Sequence, residues 1–196
     1  MLGKAKRKFP LGTSAVRQFC RRGEALMRKI LLMASAIVIA VAWFSFAHQV
    51  SAKSDDEAEI KSLEEQFAAA ANAKDLDKMM TVYVADDSLF VFDVIPPRQY
   101  VGAKAYRDDW KSFLDGFKGP IKFDINDVSV IARGNLAFGH NIQHVSGTGK
   151  DGKPVDMTVR VTDGYRKIKG KWLIVLEHVS VPVDIATGKA DLSSKP

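Results

Sequence analysis

Ile121-Lys122-Phe123-Asp124-Ile125-Asn126 is the point at which the chain changes its rhythm. Apolar and polar residues alternate there with a period of two, so Ile121, Phe123 and Ile125 share one side of an extended segment and Lys122, Asp124 and Asn126 the other. Downstream, Gly134-Asn135, Asp151-Gly152 and Lys169-Gly170 are turn pairs. They separate expected strands near 127–132, 136–146, 154–168 and 171–181, a β-meander.

Upstream the period is helical. Ser54 and Glu57 form a capping box, and Ile60, Leu63, Phe67 and Ala70 recur at the spacing of one helix face. Asp75 can cap a second helix with Leu76, Met79, Met80 and Tyr83 as its stripe. A short apolar strand at 89–92 ends at Asp93 and the Pro96-Pro97 pair. A third helix follows Gly102, carries Tyr106, Trp110, Phe113, Leu114 and Phe117 on one face, and is expected to stop at Gly119-Pro120. Three helices followed by long antiparallel strands make an α+β fold, with the helices covering one face of a curved sheet. Gly147-Thr148-Gly149-Lys150 lacks the spacing and the following helix of a phosphate loop and reads as a hairpin loop.

Charge and cysteine narrow the function. Residues 1–52 hold nine of the 29 Lys and Arg and one of the 23 Asp and Glu, which leaves 20 basic against 22 acidic side chains in the rest. The basic excess therefore belongs to the leader, and the folded part lacks the charge that a nucleic-acid partner requires. Arg28-Lys29, the apolar run 30–47 and Val50-Ser51-Ala52 have the order of a signal peptide, with Met27 as a possible true start. The expected organisation is a basic leader and signal peptide at 1–52, a domain at 53–185 and a C-terminal tail at 186–196. The domain is expected to be exported, periplasmic or secreted; the alternative is an N-terminal anchor, with membrane contact only if the leader is uncleaved. Cys20 is the single cysteine and lies in the leader, so the domain has no disulfide and no thiol nucleophile.

The element order and the local text resemble a known family. Phe67-Ala-Ala-Ala-Ala-Asn-Ala-Lys-Asp-Leu-Asp and Tyr83-Val-Ala-Asp-Asp look like the opening of ketosteroid isomerase and SnoaL-like proteins of the nuclear transport factor 2-like superfamily. Thr162-Asp-Gly-Tyr-Arg-Lys, Gly170-Lys-Trp and Glu177-His-Val-Ser-Val-Pro are similar to the closing strands of SnoaL-like members. The resemblance implies a cone-shaped fold with an apolar pocket between helices and sheet, a homodimer made through the outer sheet face, and cofactor-free chemistry. Ketosteroid isomerase pairs an Asp base with an oxyanion hole of Tyr and protonated Asp. Matched onto this chain, the Tyr falls on Phe67, which has no hydroxyl; the base falls on Phe92 or Asp93; the protonated acid falls on Asp163.

The residues themselves add candidates. Asp93 closes an apolar strand, where a carboxylate at a pocket rim acquires a raised pKa. Asp163 interrupts the apolar strand face of Val159, Val161 and Tyr165, whereas Arg160 and Thr162 fall on the opposite face. Phe138, His140, Ile142 and His144 share one face of their strand and resemble pocket-lining positions. His140 and His144 stand about 13 Å apart along a strand, too far to hold one ion, so no metal site is expected. Glu177 and His178 point to opposite faces, and the parity of Trp172, Ile174 and Leu176 favours His178 as the inward one. Asp93, Asp163, His140 and His178 are thus the expected catalytic set, and Phe67, Tyr83, Trp110, Phe113, Phe138, Ile142, His144 and Tyr165 the expected ligand wall. Two functions follow: acid/base isomerase, dehydratase or cyclase chemistry on a small apolar molecule, or a non-catalytic binding or assembly module.

Overall fold

The apolar stripes identified above become buried helix faces. A computed structural model describes residues 55–194; the leader with Met27, Arg28-Lys29, Cys20 and Val50-Ser51-Ala52, and the capping residue Ser54, lie outside the described residues. Helix α1 covers 55–72 and buries Ile60, Leu63, Phe67, Ala70 and Ala71, and with them Glu64, which stands on the same stripe. Asp75 caps α2 (Leu76–Met80), its carboxylate accepting from the Lys78 backbone N–H at 3.1 Å. This helix stops short of Tyr83 because the chain leaves it for the sheet. The Val84 N–H donates to the Ile174 carbonyl at 2.9 Å and the Ile174 N–H to the Val82 carbonyl at 2.8 Å, and Tyr83 is held in the core between them.

Two short strands, β1 (Phe90–Phe92) and β2 (Tyr100–Val101), precede α3 (Ala103–Asp115), which buries Tyr106, Trp110 and Leu114. Helix α3 ends at Gly116 rather than at Gly119-Pro120, and Phe117 already opens β3 (Phe117–Arg133). Gly119-Pro120 lies instead where pairing jumps from Phe117 to Ile121, a break that accommodates a proline with no N–H to give. A second irregularity between Asn126 and Ser129 joins the two expected strands into one and reverses the alternation. Ile121 and Phe123 before it, and Val130 and Ala132 after it, all face the core.

Strands β4 (Leu136–Gly149), β5 (Pro154–Ile168) and β6 (Lys171–Ser180) complete a six-stranded sheet in the order β2-β1-β6-β5-β4-β3. Neighbours are antiparallel except β1 and β6, which run parallel. The β5–β6 turn puts Lys169 at φ 51° and Gly170 at φ 81°, the paired positive values that a two-residue hairpin matching strand twist requires. Part of the expected tail docks on the sheet: the Thr158 N–H donates to the Leu192 carbonyl at 2.7 Å. The result is the expected α+β layer, with helices on one face of a curved sheet.

Candidate functional site

A bulge in β6 decides which polar side chains enter the core. Tyr165 pairs with Ile174 and Gly164 with Leu176, so Val175 is an extra residue. Trp172 and Ile174 face inward before it; after it, Glu177 faces inward and His178 outward. Gly139, Asp163 and Glu177 then stand opposite one another across β4, β5 and β6 on the helix-facing side. Asn141 is the next inward residue on β4, and Glu64 reaches the same region from α1.

This row is hydrogen-bonded and buried. The Tyr165 hydroxyl donates to Glu64 Oε1 at 2.7 Å and lies 3.3 Å from Asp163 Oδ2, to which Asn141 Nδ2 donates at 3.2 Å. Asp163 Oδ1 and Asn141 Oδ1 are buried and make no hydrogen bond among the described residues. Gly139 makes room for the tyrosine: a Cβ there would lie 3.3 Å from Tyr165 Cε2 and 2.8 Å from the Ser129 carbonyl oxygen. Burial pushes Asp163 well above the usual carboxylate range, and repulsion from Glu177 and Glu64 adds to it. Burial likewise lifts Glu64 to about 7, against the pull of the Tyr165 hydroxyl.

Beside the row opens a cavity of about 240 Å³. Its wall is largely aliphatic and aromatic, with Trp110, Phe113 and Phe123, and its acids are Asp93, Asp109 and Glu177. Glu177 joins the hollow to the buried row. The Tyr83 hydroxyl donates to its Oε2 at 2.8 Å, and the Tyr106 hydroxyl donates to its Oε1. Burial raises Glu177 to about 7; the two tyrosine donors oppose this, while Glu64 and Asp93 reinforce it. Asp93 accepts the Val94 backbone N–H at 2.5 Å and is raised to about 6, chiefly by burial, with Asp109 adding to the rise. Asp109 in turn accepts the Tyr100 hydroxyl at 2.7 Å. Two carboxyl groups that gain and lose protons near neutrality thus face one apolar space, an arrangement able to take a proton at one point of a bound molecule and return it at another.

The sequence-derived candidates divide sharply. Asp93, Trp110 and Phe113 line the hollow. Phe67 and Tyr83 are buried behind it, with Phe67 edge-on to Tyr83, Trp110 and Phe123. Asp163, expected in the catalytic set, and Tyr165, expected in the ligand wall, lie behind the wall instead, and Glu177 lines the hollow. His178 is exposed on the outer face against Phe92, because parity counted from Trp172 and Ile174 does not survive the bulge. Phe138, His140, Ile142 and His144 are on the outer face too, Phe138 at 56% exposure. Their inward neighbours are Ala137, Gly139, Asn141, Gln143 and Val145. His144 meets Asp156 at 3.1 Å and Asp124 at 3.8 Å on that surface. Sequence reasoning missed Glu64, Asp109 and the role of Tyr106, although both acids sit at helical spacing within apolar stripes, after Ile60 and Tyr106 respectively.

Residues 60–184 match a family model described as a SnoaL-like domain. Among similar solved structures is a nuclear transport factor 2-like protein of unknown function from Pseudomonas putida KT2440, 31% identical. That match covers 73% of this chain and 98% of that chain, with a TM-score of 0.66. A nuclear transport factor 2-like superfamily protein from Salmonella enterica serovar Typhimurium LT2 is 16% identical over 70% of this chain and 99% of that one, with a TM-score of 0.62. A protein of the same fold family from Streptomyces avermitilis, provisionally named a dehydratase, is 16% identical over 64% of this chain and 96% of that one, with a TM-score of 0.55. No curated protein matches the chain.

Proposed function

We propose that this chain, which belongs to the SnoaL-like domain family across residues 60–184, binds a small, largely apolar molecule in its hollow and moves a proton on it. The observation that carries the proposal is the pair Asp93 and Glu177, raised to about 6 and about 7, in the wall of one apolar cavity. Near neutrality Asp93 is mostly ionised and serves as the base, while Glu177 is partly protonated and returns the proton. A volume of about 240 Å³ is smaller than the roughly 300–1,000 Å³ of pockets that take drug-sized ligands, which favours a compact substrate. Asp163 does not line the hollow and stands opposite Glu177 across the sheet.

Deuterium uptake next to the carbonyl of small cyclic enones such as cyclohex-2-enone, followed by NMR, tests the proposal. The rate should rise with pH as Asp93 ionises through about 6 and fall as Glu177 loses its proton through about 7. Because the two acids interact, both limbs belong to the pair. Asp93→Asn or Glu177→Gln should each cost on the order of 10²–10⁴ in rate. Uptake no faster than in buffer across the enone panel would sink the catalytic proposal.

The outer sheet face favours a second, compatible role as a dimeric assembly surface. Ile131, Phe138, Gly164, Leu176 and Phe90 stand in register across five strands. Of these, Ile131, Phe138 and Leu176 are 46%, 56% and 39% exposed, a contiguous apolar strip of the kind that a partner surface covers. A second copy of the chain is the proposed partner, and the mass in solution is its readout.

A further inference from the structure

We infer that the hollow selects a ligand carrying positive charge, a primary or secondary ammonium group on a small apolar or aromatic body. The inference rests on the hollow being the ligand site and is independent of turnover. Among the described residues, the ionisable groups of the wall are Asp93, Asp109, Glu177 and Tyr106, with no Lys, Arg or His. The Tyr106 hydroxyl is committed to Glu177, and Trp110 Nε1 is buried with no acceptor among the described residues. Apart from the Gln143 amide, the wall therefore offers oxygen acceptors and acids and no charge to balance them.

The basic side chains of α3 are engaged elsewhere. On α3, Lys104 pairs with Asp108 at 2.7 Å and Lys111 with Asp115 at 2.6 Å, while Arg107 reaches Asp77 at 2.5 Å. Asp109, on the same helix, meets Tyr100 and Asp93 and no cation among the described residues. Asp93 is repelled by Asp109, and Glu177 by Asp93 and Glu64. An ammonium ion entering this space relieves that repulsion and donates charge-assisted hydrogen bonds, whereas an anion compounds it. The rings support the same class of ligand. Tyr106, Trp110, Phe113 and Phe123 form an edge-to-face cluster along the wall, with Trp110 centroids 5.8, 5.5 and 6.1 Å from Tyr106, Phe113 and Phe123. Aromatic rings attract a cation through their quadrupoles and accept its apolar body by contact.

Isothermal titration of the folded domain with benzylammonium, benzyl alcohol and benzoate near neutral pH and at low salt tests the inference. These probes share a ring and differ in charge. Benzylammonium should bind at least about tenfold more tightly than benzyl alcohol, and benzoate should not bind measurably. Asp109→Asn and Asp93→Asn should each erase most of the ammonium preference, read as the ratio of benzylammonium to benzyl alcohol affinity within each variant. Benzyl alcohol or benzoate matching benzylammonium overturns the inference and leaves the hollow a ligand site, as does a preference that survives both substitutions. If none of the three probes binds the unsubstituted protein, the inference and the ligand-site proposal fall together.

Discussion

Asn141, Asp163 and Glu177 differ from their chain neighbours His140, Thr162 and His178 by one step of strand alternation and by their entire surroundings. The first three are buried against helices and aromatic rings; the second three lie on the outer face of the same strands. In register, Thr162 stands between His140 and His178 on one side of the sheet, and Asp163 between Gly139 and Glu177 on the other. The contrast separates two environments on the same strands, and in the inner one burial acts on carboxyl groups. Acids whose ordinary values are 3.8 and 4.5 are pushed upward because water is excluded and like charges face each other. Substitutions of adjacent residues should therefore behave as if made in different proteins.

The largest expected difference is in how stability follows pH. Glu64 and Glu177 titrate near 7 when folded, against an ordinary 4.5. Between those values the folded chain holds protons that the unfolded chain has released. Unfolding free energy is therefore greatest below about pH 4.5 and falls as pH rises through about 7. A shift of that size is on the order of 3 kcal/mol for a buried group, and since the acids interact the loss belongs to the cluster. The exposed pair Lys111–Asp115 pulls the other way, since the lysine lowers the Asp115 carboxyl, but solvent screens it. Urea unfolding at about pH 5 and about pH 8 should thus differ by several kcal/mol in favour of the lower pH. Asp163→Asn, which removes the central acid, should flatten that dependence and stabilise the domain at the higher pH. Equal stability at both pH values would show that the cluster is not held neutral.

A smaller effect follows from the close approach that supports the inner row. Gly139→Ala puts a methyl group 2.8 Å from the Ser129 carbonyl oxygen and 3.3 Å from the Tyr165 ring. The carbonyl belongs to the paired strand and cannot swing away, so the cost should be about 1–3 kcal/mol by chemical denaturation. The same change at Gly164, whose outward Cβ would meet Leu176 Cβ at 3.4 Å, is ordinary contact and should cost less. If both substitutions prove equally mild, the inner row is looser than its geometry implies.

The fold was legible because period and punctuation agreed. The switch to alternation after Gly119-Pro120, the turn pairs, and the stripes of α1 and α3 all specify one layered arrangement. Site residues were less legible, for two physical reasons. Parity along β6 was counted through Val175, where an extra residue that leaves no mark in composition reverses it and exchanges Glu177 with His178. Along β4, the inward residues Ala137, Gly139, Asn141 and Gln143 are small or polar, whereas the outer ones include Phe138 and Ile142. Alternation alone assigns such a strand backwards, because core space is taken by the large rings of Tyr165 and Phe123 and an apolar strip is left for the outside. Asp93 could be found because an acid ends an apolar strand. Glu64 and Asp109 carried the same signal, an acid within an apolar helical stripe, in a form that reads more readily as a solvated face.

The smallest expected effect on the fold lies in the outer row, where it separates packing from assembly. His178→Gln removes an exposed ring whose centroid lies 5.6 Å from that of Phe92, and surface changes of this kind stay within about 0.5 kcal/mol. Phe138→Glu should be almost as mild for a single domain, since the Phe138 side chain is 56% exposed and faces away from the helices. Its consequence should appear in solution mass. If a second copy covers Ile131, Phe138 and Leu176, a carboxylate placed in that strip would be desolvated without a partner, and light scattering should report a dimer in the parent and a monomer in the variant. An unchanged dimer in Phe138→Glu would move the interface elsewhere, and a monomeric parent would remove the assembly role. Either outcome leaves the inner row untouched, because one residue of alternation already insulates it from anything done to the outer face.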